Sequence, residues 1–249
     1  MEAIAKTLYS IVNSPQFDKE QLCGEKLKLS QAFCLLWHDA KSGDVCGRQC
    51  SDESNAGVLA AMLVDLAALD KLEFFKDTKT CVLGLKCDSI LLKVNDTKPT
   101  ETFLDAAIFD KILELQRQNP HKPIVVKDLL SKYRKESGTI ALDSLVKLDI
   151  LGLEIEKCGS HKYPTLKTGI SEDLKSQLRA FALDGAEPSS YLRALLTLAR
   201  CSDSEQIGAP VLRKHFTQEE YYCKKAKENL NALVKTTKKC NCKCNAEKK

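Results

Sequence analysis

The sequence lacks the short motifs that mark many enzyme classes. It contains no Walker phosphate loop, no nucleophile elbow, no HExxH helix and no protein-kinase signature. Its four histidines are scattered, and no two of them are spaced to share one helical face. Cys158 and His161 stand close together in a predicted turn, but such loop residues are more often solvated side chains than a nucleophile and its base. We therefore expect a protein that is not an enzyme and that uses no cofactor.

The sequence also lacks a hydrophobic segment long enough to cross a membrane. A spanning helix needs about 20 apolar residues, and the most apolar stretch, residues 54–69, is shorter and contains Asp65. The first residues contain Glu2 and Lys6 and no continuous apolar run, so we expect no signal peptide. In the absence of a signal peptide, we expect the twelve irregularly spaced cysteines to be reduced thiols in the cytosol.

Net positive charge is confined to the C-terminal tail. The formal net charge is +4, but residues 235–249 contain six lysines and one glutamate, so residues 1–234 sum to about −1. The globular part is therefore not a general binder of polyanions, and any phosphate site in it must be a local patch. We expect no nucleic-acid partner.

The predicted fold is organised around residues 54–69. Apolar residues lie on every side of this helical wheel, which is typical of a helix surrounded by protein, and Ser54 or Asn55 is its predicted N-cap. The sequence therefore predicts a mainly α globular domain around a buried central helix. The expected divisions are an N-terminal helix and linker (1–26), the helical domain (27–234) and a basic, cysteine-containing tail (235–249).

The remaining elements are predicted from apolar periodicity and from turn residues. Two predicted helices, 124–135 and 140–148, are divided by Ser137 and Gly138. A small antiparallel β-meander is expected from residues 72–75, 80–85 and 89–94, and a hairpin from 151–157 with 161–165. The other helices are predicted at 2–12, 27–39, 101–118, 171–183, 189–201 and 217–233.

One group of cysteines and a histidine has spacing that allows a zinc site. Its spacing is C-x3-H-x7-C-x3-C, and its first two members share a helix face at i and i+4. The alternative is a buried thiol beside a surface imidazole, because the first cysteine also fits an ordinary apolar helix position. The four residues are Cys34, His38, Cys46 and Cys50.

The tail contains three cysteines that alternate with polar residues among lysines, namely Cys240, Cys242 and Cys244. One interpretation is S-acylation beside a polybasic patch, since two such signals together give stable membrane anchoring. A second is binding of a soft metal by a flexible thiol cluster. The third is a solvated terminus with neither function.

Five segments, in this order and spacing, resemble the Golgi phosphoprotein 3 family. Each segment is a hydrophobic pattern rather than a unique motif, and together they cover most of residues 27–234. The resemblance begins in the helix before the central helix and continues to the helix that contains Arg200. The segments are LKLSQAFCLLWHDAKSGDV (27–45), SNAGVLAAMLVDLAALDKLEF (54–74), DTKPTETFLDAAIFDKI (96–112), SLVKLDILGLE (144–154) and YLRALLTLARCSD (191–203).

The resemblance implies a peripheral protein on the cytosolic side of the Golgi membrane, partly cytoplasmic. Members of this family recognise phosphatidylinositol 4-phosphate and the cytosolic tails of glycosyltransferases, which they help to retain through coat-mediated recycling. The expected partners are therefore a phosphoinositide-containing membrane, glycosyltransferase tails, coat proteins and a second copy of the chain. The alternative is a soluble interaction scaffold of the same fold that has lost phosphoinositide binding.

The resemblance also locates the lipid site. The family uses a tryptophan before the central helix, an arginine near its start and two basic residues three apart in a later helix. These positions fall here on residues 48–50, on Leu59, and on Lys135 with Gly138. Because only part of the charge is kept, we predict a weakened headgroup patch with neighbouring cations. Its members are Arg48, Lys132, Arg134 and Lys135. The family's self-associating hydrophobic hairpin is shorter and more polar in this sequence.

Overall fold

A computed structural model describes residues 1–40, 43, 52–80, 86–157, 159, 161–204 and 211–239. In these ranges the chain is mainly α, as predicted. The α-helices are α1 (Glu2–Val12), α2 (Lys19–Gly24), α3 (Leu29–Trp37), α4 (Asp52–Ala68), α5 (Asp110–Gln118), α6 (Val126–Lys147), α7 (Thr168–Arg179), α8 (Ser190–Ser204), α9 (Gln218–Tyr222) and α10 (Lys224–Lys239). The strands are β1 (Leu72–Thr80), β2 (Lys86–Val94), β3 (Ile124–Val125), β4 (Glu154–Ile155) and β5 (His161–Lys162). Single π-helical turns at Asp105–Phe109 and Ala180–Asp184 and a 3-10 turn at Arg213–His215 complete the list.

Helix α4 is the centre of the fold, which confirms the prediction from its all-round apolar pattern. Every residue from Ala56 to Ala68 is buried, and α1, α3, α6 and α8 pack around it. The helix begins at Asp52, two residues before the predicted cap at Ser54. Acidic residues in the first turn favour this earlier start because they complement the positive end of the helix dipole.

The one charged residue in the buried part of α4, residues 56–68, caps a neighbouring helix. Asp65 is buried, and its carboxylate accepts hydrogen bonds from the backbone N–H groups of Leu29 (2.7 Å) and Ser30 (3.1 Å) at the start of α3. The hydroxyl of Ser30 donates a third hydrogen bond to it at 2.8 Å. A helix leaves its first N–H groups without partners inside the helix. Asp65 supplies hydrogen-bond partners for these N–H groups from a second helix and so fixes α3 against α4.

The prediction of two helices divided at Ser137 and Gly138 is wrong, because α6 continues through both residues. Ser137 turns its hydroxyl back to the carbonyl of Tyr133 (3.2 Å), which satisfies it within the helix. A Cβ added to Gly138 would lie 2.7 Å from Oδ1 of Asn55 and 3.3 Å from the ring of Trp37. The glycine therefore allows α6 to approach α3 and α4 closely and does not break the helix.

The three-stranded sheet has a different third strand from the one predicted. Strands β1 and β2 form an antiparallel hairpin, and β3 pairs with the other edge of β2, with Leu91 opposite Val125 and Leu92 opposite Ile124. The predicted strand at 80–85 lies outside the described residues except for Thr80, which belongs to β1. The start of the predicted helix at 124 forms β3 instead, since β-branched Ile124 and Val125 fit an extended edge and α6 begins only at Val126.

Two smaller differences come from capping. Helix α2 lies in the predicted N-terminal linker, and the carboxylate of Asp18 caps it by accepting from the backbone N–H of Gln21 at 3.0 Å. The predicted helix 217–233 is two helices, because Cys223 is extended between α9 and α10. Its Sγ accepts from the backbone N–H of Ala226 at 3.3 Å, at the start of α10. The predicted hairpin is present, with Glu154 opposite Lys162 and Ile155 opposite His161.

A clamp from late in the chain closes the C-terminal end of α3. Nζ of Lys214 donates to the carbonyls of Trp37 (2.5 Å) and His38 (2.8 Å), and Nε2 of His215 lies 2.8 Å from the carbonyl of Leu36. These groups satisfy carbonyls that a helix end leaves without partners. Asp203, at the end of α8, accepts from the backbone N–H groups of Val211 and Leu212 and so holds the turn that carries the clamp.

Candidate functional site

Helix α6 carries three of the four predicted headgroup residues. Lys132 and Lys135 are exposed and three residues apart, which places them on one face of the helix, whereas Arg134 is half-buried and, two positions from Lys132, points to a different side. The fourth residue, Arg48, lies outside the described residues. The cationic face of α6 therefore consists of Lys132 and Lys135, and Arg134 is turned toward the start of α4.

Arg134 is held by the start of α4. Its Nη2 lies 2.6 Å from Oδ2 of Asp52, and its Nη1 donates to the carbonyl of Ser131. The hydrogen bond from Arg134 lowers the pKa of Asp52, and the charge of Lys135 contributes in the same direction. The same contact raises the pKa of Arg134. The guanidinium is thus already paired with a carboxylate, and a phosphate ligand has to compete with Asp52 for it.

Two lysines lie over an aromatic ring on the same part of α6. Nζ of Lys132 lies 4.9 Å and Nζ of Lys111 lies 5.4 Å from the centre of the Tyr133 ring. At these distances each ammonium is attracted to the face of the ring. Lys111 also contacts the carboxylate of Glu136 at 3.1 Å. The result is a surface with an aromatic ring, several cations and two partly compensating carboxylates, Asp52 and Glu136.

Two positions that the resemblance assigns to phosphate-binding residues are built into the core instead. Leu59 is 1% exposed in the middle of α4, and Gly138 is buried against Trp37 and Asn55. Neither position offers a donor side chain, and neither has room for a basic one without displacing core atoms. These two positions therefore do not reproduce the phosphate-binding set that the resemblance implies, whereas Lys135 is exposed.

The candidate zinc ligands that the structure describes have other contacts. Cys34 is buried, its Sγ lies 3.9 Å from the carbonyl of Gly138, and burial raises the pKa of its thiol. Nε2 of His38 lies 2.7 Å from the carbonyl of Tyr163, and burial lowers the pKa of this imidazole. Cys46 and Cys50 lie outside the described residues, as do the three tail cysteines. Among the residues with described positions, no group of three or more histidine, cysteine, aspartate or glutamate side chains could hold a metal ion.

Sequence reasoning missed three residues of the site, namely Lys111, Tyr133 and Asp52. Lys111 lies on α5 and reaches α6 only through the folded packing. Asp52 is 82 residues from Arg134 in the chain, so no local spacing connects the two. Tyr133 was detectable, because an aromatic residue between two predicted basic residues suits a membrane interface. Within the described ranges, no helix is both long and apolar enough to span a membrane.

Comparison with known proteins gives a family match. The family model described as Golgi phosphoprotein 3 (GPP34) matches residues 29–237, which is most of the chain. The matched range begins at the first residue of α3 and includes α4, the sheet, the hairpin and most of α10. No curated protein matches the sequence.

Proposed function

The chain belongs to the Golgi phosphoprotein 3 family, and from that premise we propose that it is a peripheral adaptor that binds phosphatidylinositol 4-phosphate on the cytosolic face of the Golgi. In this role it retains or sorts glycosyltransferases through contacts with their cytosolic tails and with coat proteins. Membership of the family supports a Golgi-associated, non-enzymatic role of this general kind. The lipid, the clients and the coat are the more specific content of the proposal.

The observation that carries the lipid contact is the cationic face of α6. Lys132 and Lys135 are exposed, and the ammonium groups of Lys111 and Lys132 lie 5.4 Å and 4.9 Å from the centre of the Tyr133 ring. Each lysine near an anionic leaflet contributes roughly 1 kcal/mol, and a tyrosine ring suits the interface between headgroups and acyl chains. Because Asp52 and Glu136 lie beside these cations, we expect weak binding that falls as salt is added.

A second function, a soluble scaffold of the same fold without phosphoinositide recognition, is favoured by the core. Leu59 and Gly138 stand at two positions where the family uses basic residues, and both are buried. Restoring a basic side chain at either position requires displacement of packed atoms. The two functions differ in one measurable property, which is whether the membrane contact depends on the phosphoinositide.

Self-association is part of the proposal and has its own support. The hairpin carries exposed apolar side chains, with Leu153 43% and Ile155 67% exposed, and Leu166 beside it is 59% exposed. Exposed apolar side chains that cluster in one place suit a protein contact. We propose that the hairpin contributes to a homo-oligomer. In sedimentation velocity, the proposal predicts that Ile155→Lys shifts the distribution toward monomer, whereas an unchanged distribution contradicts a role for the hairpin.

The lipid contact is tested by sedimentation with vesicles. The three compositions are phosphatidylcholine alone, phosphatidylcholine with phosphatidylinositol 4-phosphate, and phosphatidylcholine with phosphatidylserine at matched charge. The double variant Lys132→Gln/Lys135→Gln should weaken binding to the phosphoinositide vesicles roughly 10- to 30-fold, if each lysine contributes roughly 1 kcal/mol. The matched control is Lys127→Gln/Lys147→Gln, which removes the same charge from the two ends of α6, where both lysines are exposed.

Three results contradict the lipid contact. The first is binding that does not distinguish the phosphoinositide from phosphatidylserine. The second is equal weakening by the two double variants, which would reflect net charge alone. The third is binding that disappears when residues 235–249 are removed and is unaffected by changes on α6. Any of the three leaves the scaffold as the function.

A further inference from the structure

The outer edge of β1 is open. The backbone N–H of Asn95 donates to the carbonyl of Lys71 at 2.9 Å, so these residues form a hydrogen-bonded pair at the start of the antiparallel β1–β2 ladder. Hydrogen bonding alternates along such a ladder, and the N–H and C=O groups of Leu72, Phe74 and Lys76 therefore point away from β2. No residue that the structure describes pairs with these outward groups. Strand β1 therefore offers a template for one more strand.

A groove of about 390 Å³ lies beside the first part of this edge. Its other side is formed by the end of α1 and the loop that follows, where Val12 and Phe17 are half-buried. The side chains of Leu72 and Phe74 are buried on one face of the sheet, whereas that of Glu73, between them, points to the other face and is exposed. A strand that fits this edge therefore has one apolar face and one polar face.

The terminal segment, residues 240–249, lies outside the described residues, but its sequence has the pattern of such a strand. Residues 240–245 read Cys-Asn-Cys-Lys-Cys-Asn, in which thiols alternate with polar side chains. An alternation with a period of two places all three cysteines on one face of a strand and Lys243 on the other. A free cysteine behaves as a small apolar side chain, which suits the apolar side of the groove. The charge of Lys243 is opposite to that of Glu73 on the polar side.

The end of α10 lies near enough for the terminal segment to reach this edge. Leu233 of α10 and Phe17 line one cavity of about 60 Å³, and Phe17 also lines the groove beside β1. From Leu233 the helix continues for six residues to Lys239, which is roughly 9 Å at about 1.5 Å per residue. The ten residues of the terminal segment span up to roughly 33 Å when extended, and the edge from Leu72 to Lys76 is only roughly 13 Å long.

We propose that residues 240–245 of the same chain add to the open edge of β1 as a fourth strand of its sheet. Main-chain hydrogen bonds to the outward groups of β1 hold the segment, and the alternating side chains decide which segment fits. The three thiols lie in the groove, and Lys243 lies on the face that carries Glu73. The added strand covers an edge that is otherwise free to pair with other chains. Because it does not involve α6, it is independent of the lipid contact.

The test is amide hydrogen exchange of the full chain, resolved to single residues, in the presence of a thiol reductant and without lipid. The comparison is a shortened chain that ends at Lys239. The N–H groups of Leu72, Phe74 and Lys76 should exchange about 10-fold more slowly in the full chain, because each outward N–H that gains a partner is protected. The N–H of Glu73 already points to β2 and is the internal control, which should change little.

Two charge variants of the full chain form a matched pair. Lys243→Glu brings a like charge to Glu73 and should remove most of the protection of the outward N–H groups. Lys248→Glu makes the same change of charge outside the alternating residues 240–245 and should keep the protection.

Each contrary result overturns the proposal. Equal exchange of the outward N–H groups in the full and shortened chains shows that the terminal segment does not cover the edge. Equal loss of protection in Lys243→Glu and Lys248→Glu leaves only an effect of net charge. Protection that disappears on dilution assigns the edge to a second copy of the chain. If the shortened chain does not fold, the two charge variants of the full chain provide the result.

Discussion

The substitution Asp65→Asn tests whether the buried carboxylate of α4 holds α3 in place. Asp65 accepts three hydrogen bonds, from two backbone N–H groups and from the hydroxyl of Ser30. An asparagine keeps one oxygen, and its NH2 group faces a donor, so at least one buried donor loses its partner. A buried donor without a partner costs about 1–3 kcal/mol, which is the expected loss of unfolding free energy at pH 7.5. Asp65→Ala removes every acceptor and should cost about 3–5 kcal/mol.

The pH dependence of this difference provides a second measurement. Burial raises the pKa of Asp65 to about 6, above its usual value of 3.8. The folded state therefore binds a proton more readily than the unfolded state. The stability that this provides is fully present below pH 3.8 and is lost as the pH rises through 6. Relative to Asp65→Asn, the wild type should thus gain about 1 kcal/mol between pH 7.5 and pH 5.

Urea unfolding at both pH values measures these effects. Trp37 is the one tryptophan of the sequence, and it lies buried at the end of α3, so its emission reports on the helix that Asp65 caps. The control is Asp128→Asn, which removes an exposed carboxylate from the first turn of α6 and should cost less than about 1 kcal/mol. If Asp65→Ala is no less stable than the control, the carboxylate does not act as the cap described here.

Three further predictions concern packing, pH and surface charge. Gly138→Val should lower the free energy of unfolding by about 1–3 kcal/mol through overpacking. The control is Gly169→Ala, which should not lower the melting temperature because a Cβ added there meets no atom within 4 Å. Equal melting temperatures of the two variants would contradict the close approach of α6 to α3 and α4 at Gly138. Burial lowers the pKa of His215 from 6.5 to about 4, so its contribution is present above pH 6.5 and is lost as the pH falls to 4. His215→Gln should therefore reduce acid destabilisation by at most roughly 3 kcal/mol, measured by urea unfolding, and an unchanged pH profile contradicts this. Arg134→Ala should cost less than about 1 kcal/mol in urea unfolding because Asp52, its partner, is exposed; a larger loss means that the pair is structural.

The central helix could be predicted because burial on all sides leaves a direct trace in composition. Every turn from Ala56 to Leu69 is apolar, and a helix of this kind has no solvent-facing side. The continuity of α6 could not be predicted, because Ser137 and Gly138 have the composition of a break. Only the folded structure, in which Trp37 and Asn55 pack against Gly138, shows that the glycine leaves room for these two side chains.

The candidate site was predictable to a smaller extent. The basic residues of α6 follow from sequence, since Lys132, Arg134 and Lys135 lie within four positions of one another. The strength of these residues as a phosphate site does not follow from the sequence, because the carboxylate that pairs with Arg134 comes from the start of a different helix. Charge patterning along one segment cannot show compensation that arises only after two distant segments meet.

The clamp on α3 has a consequence for how the chain is made. The carbonyl of Trp37 accepts a hydrogen bond from the ammonium group of Lys214, which lies 177 residues later in the chain. During synthesis on a ribosome, the helices around α4 can gather while the last turn of α3 is still hydrated. That turn is completed only when Lys214 and His215 have left the exit tunnel, so its closure comes after α4 and its neighbours α1, α3 and α6 have been synthesised.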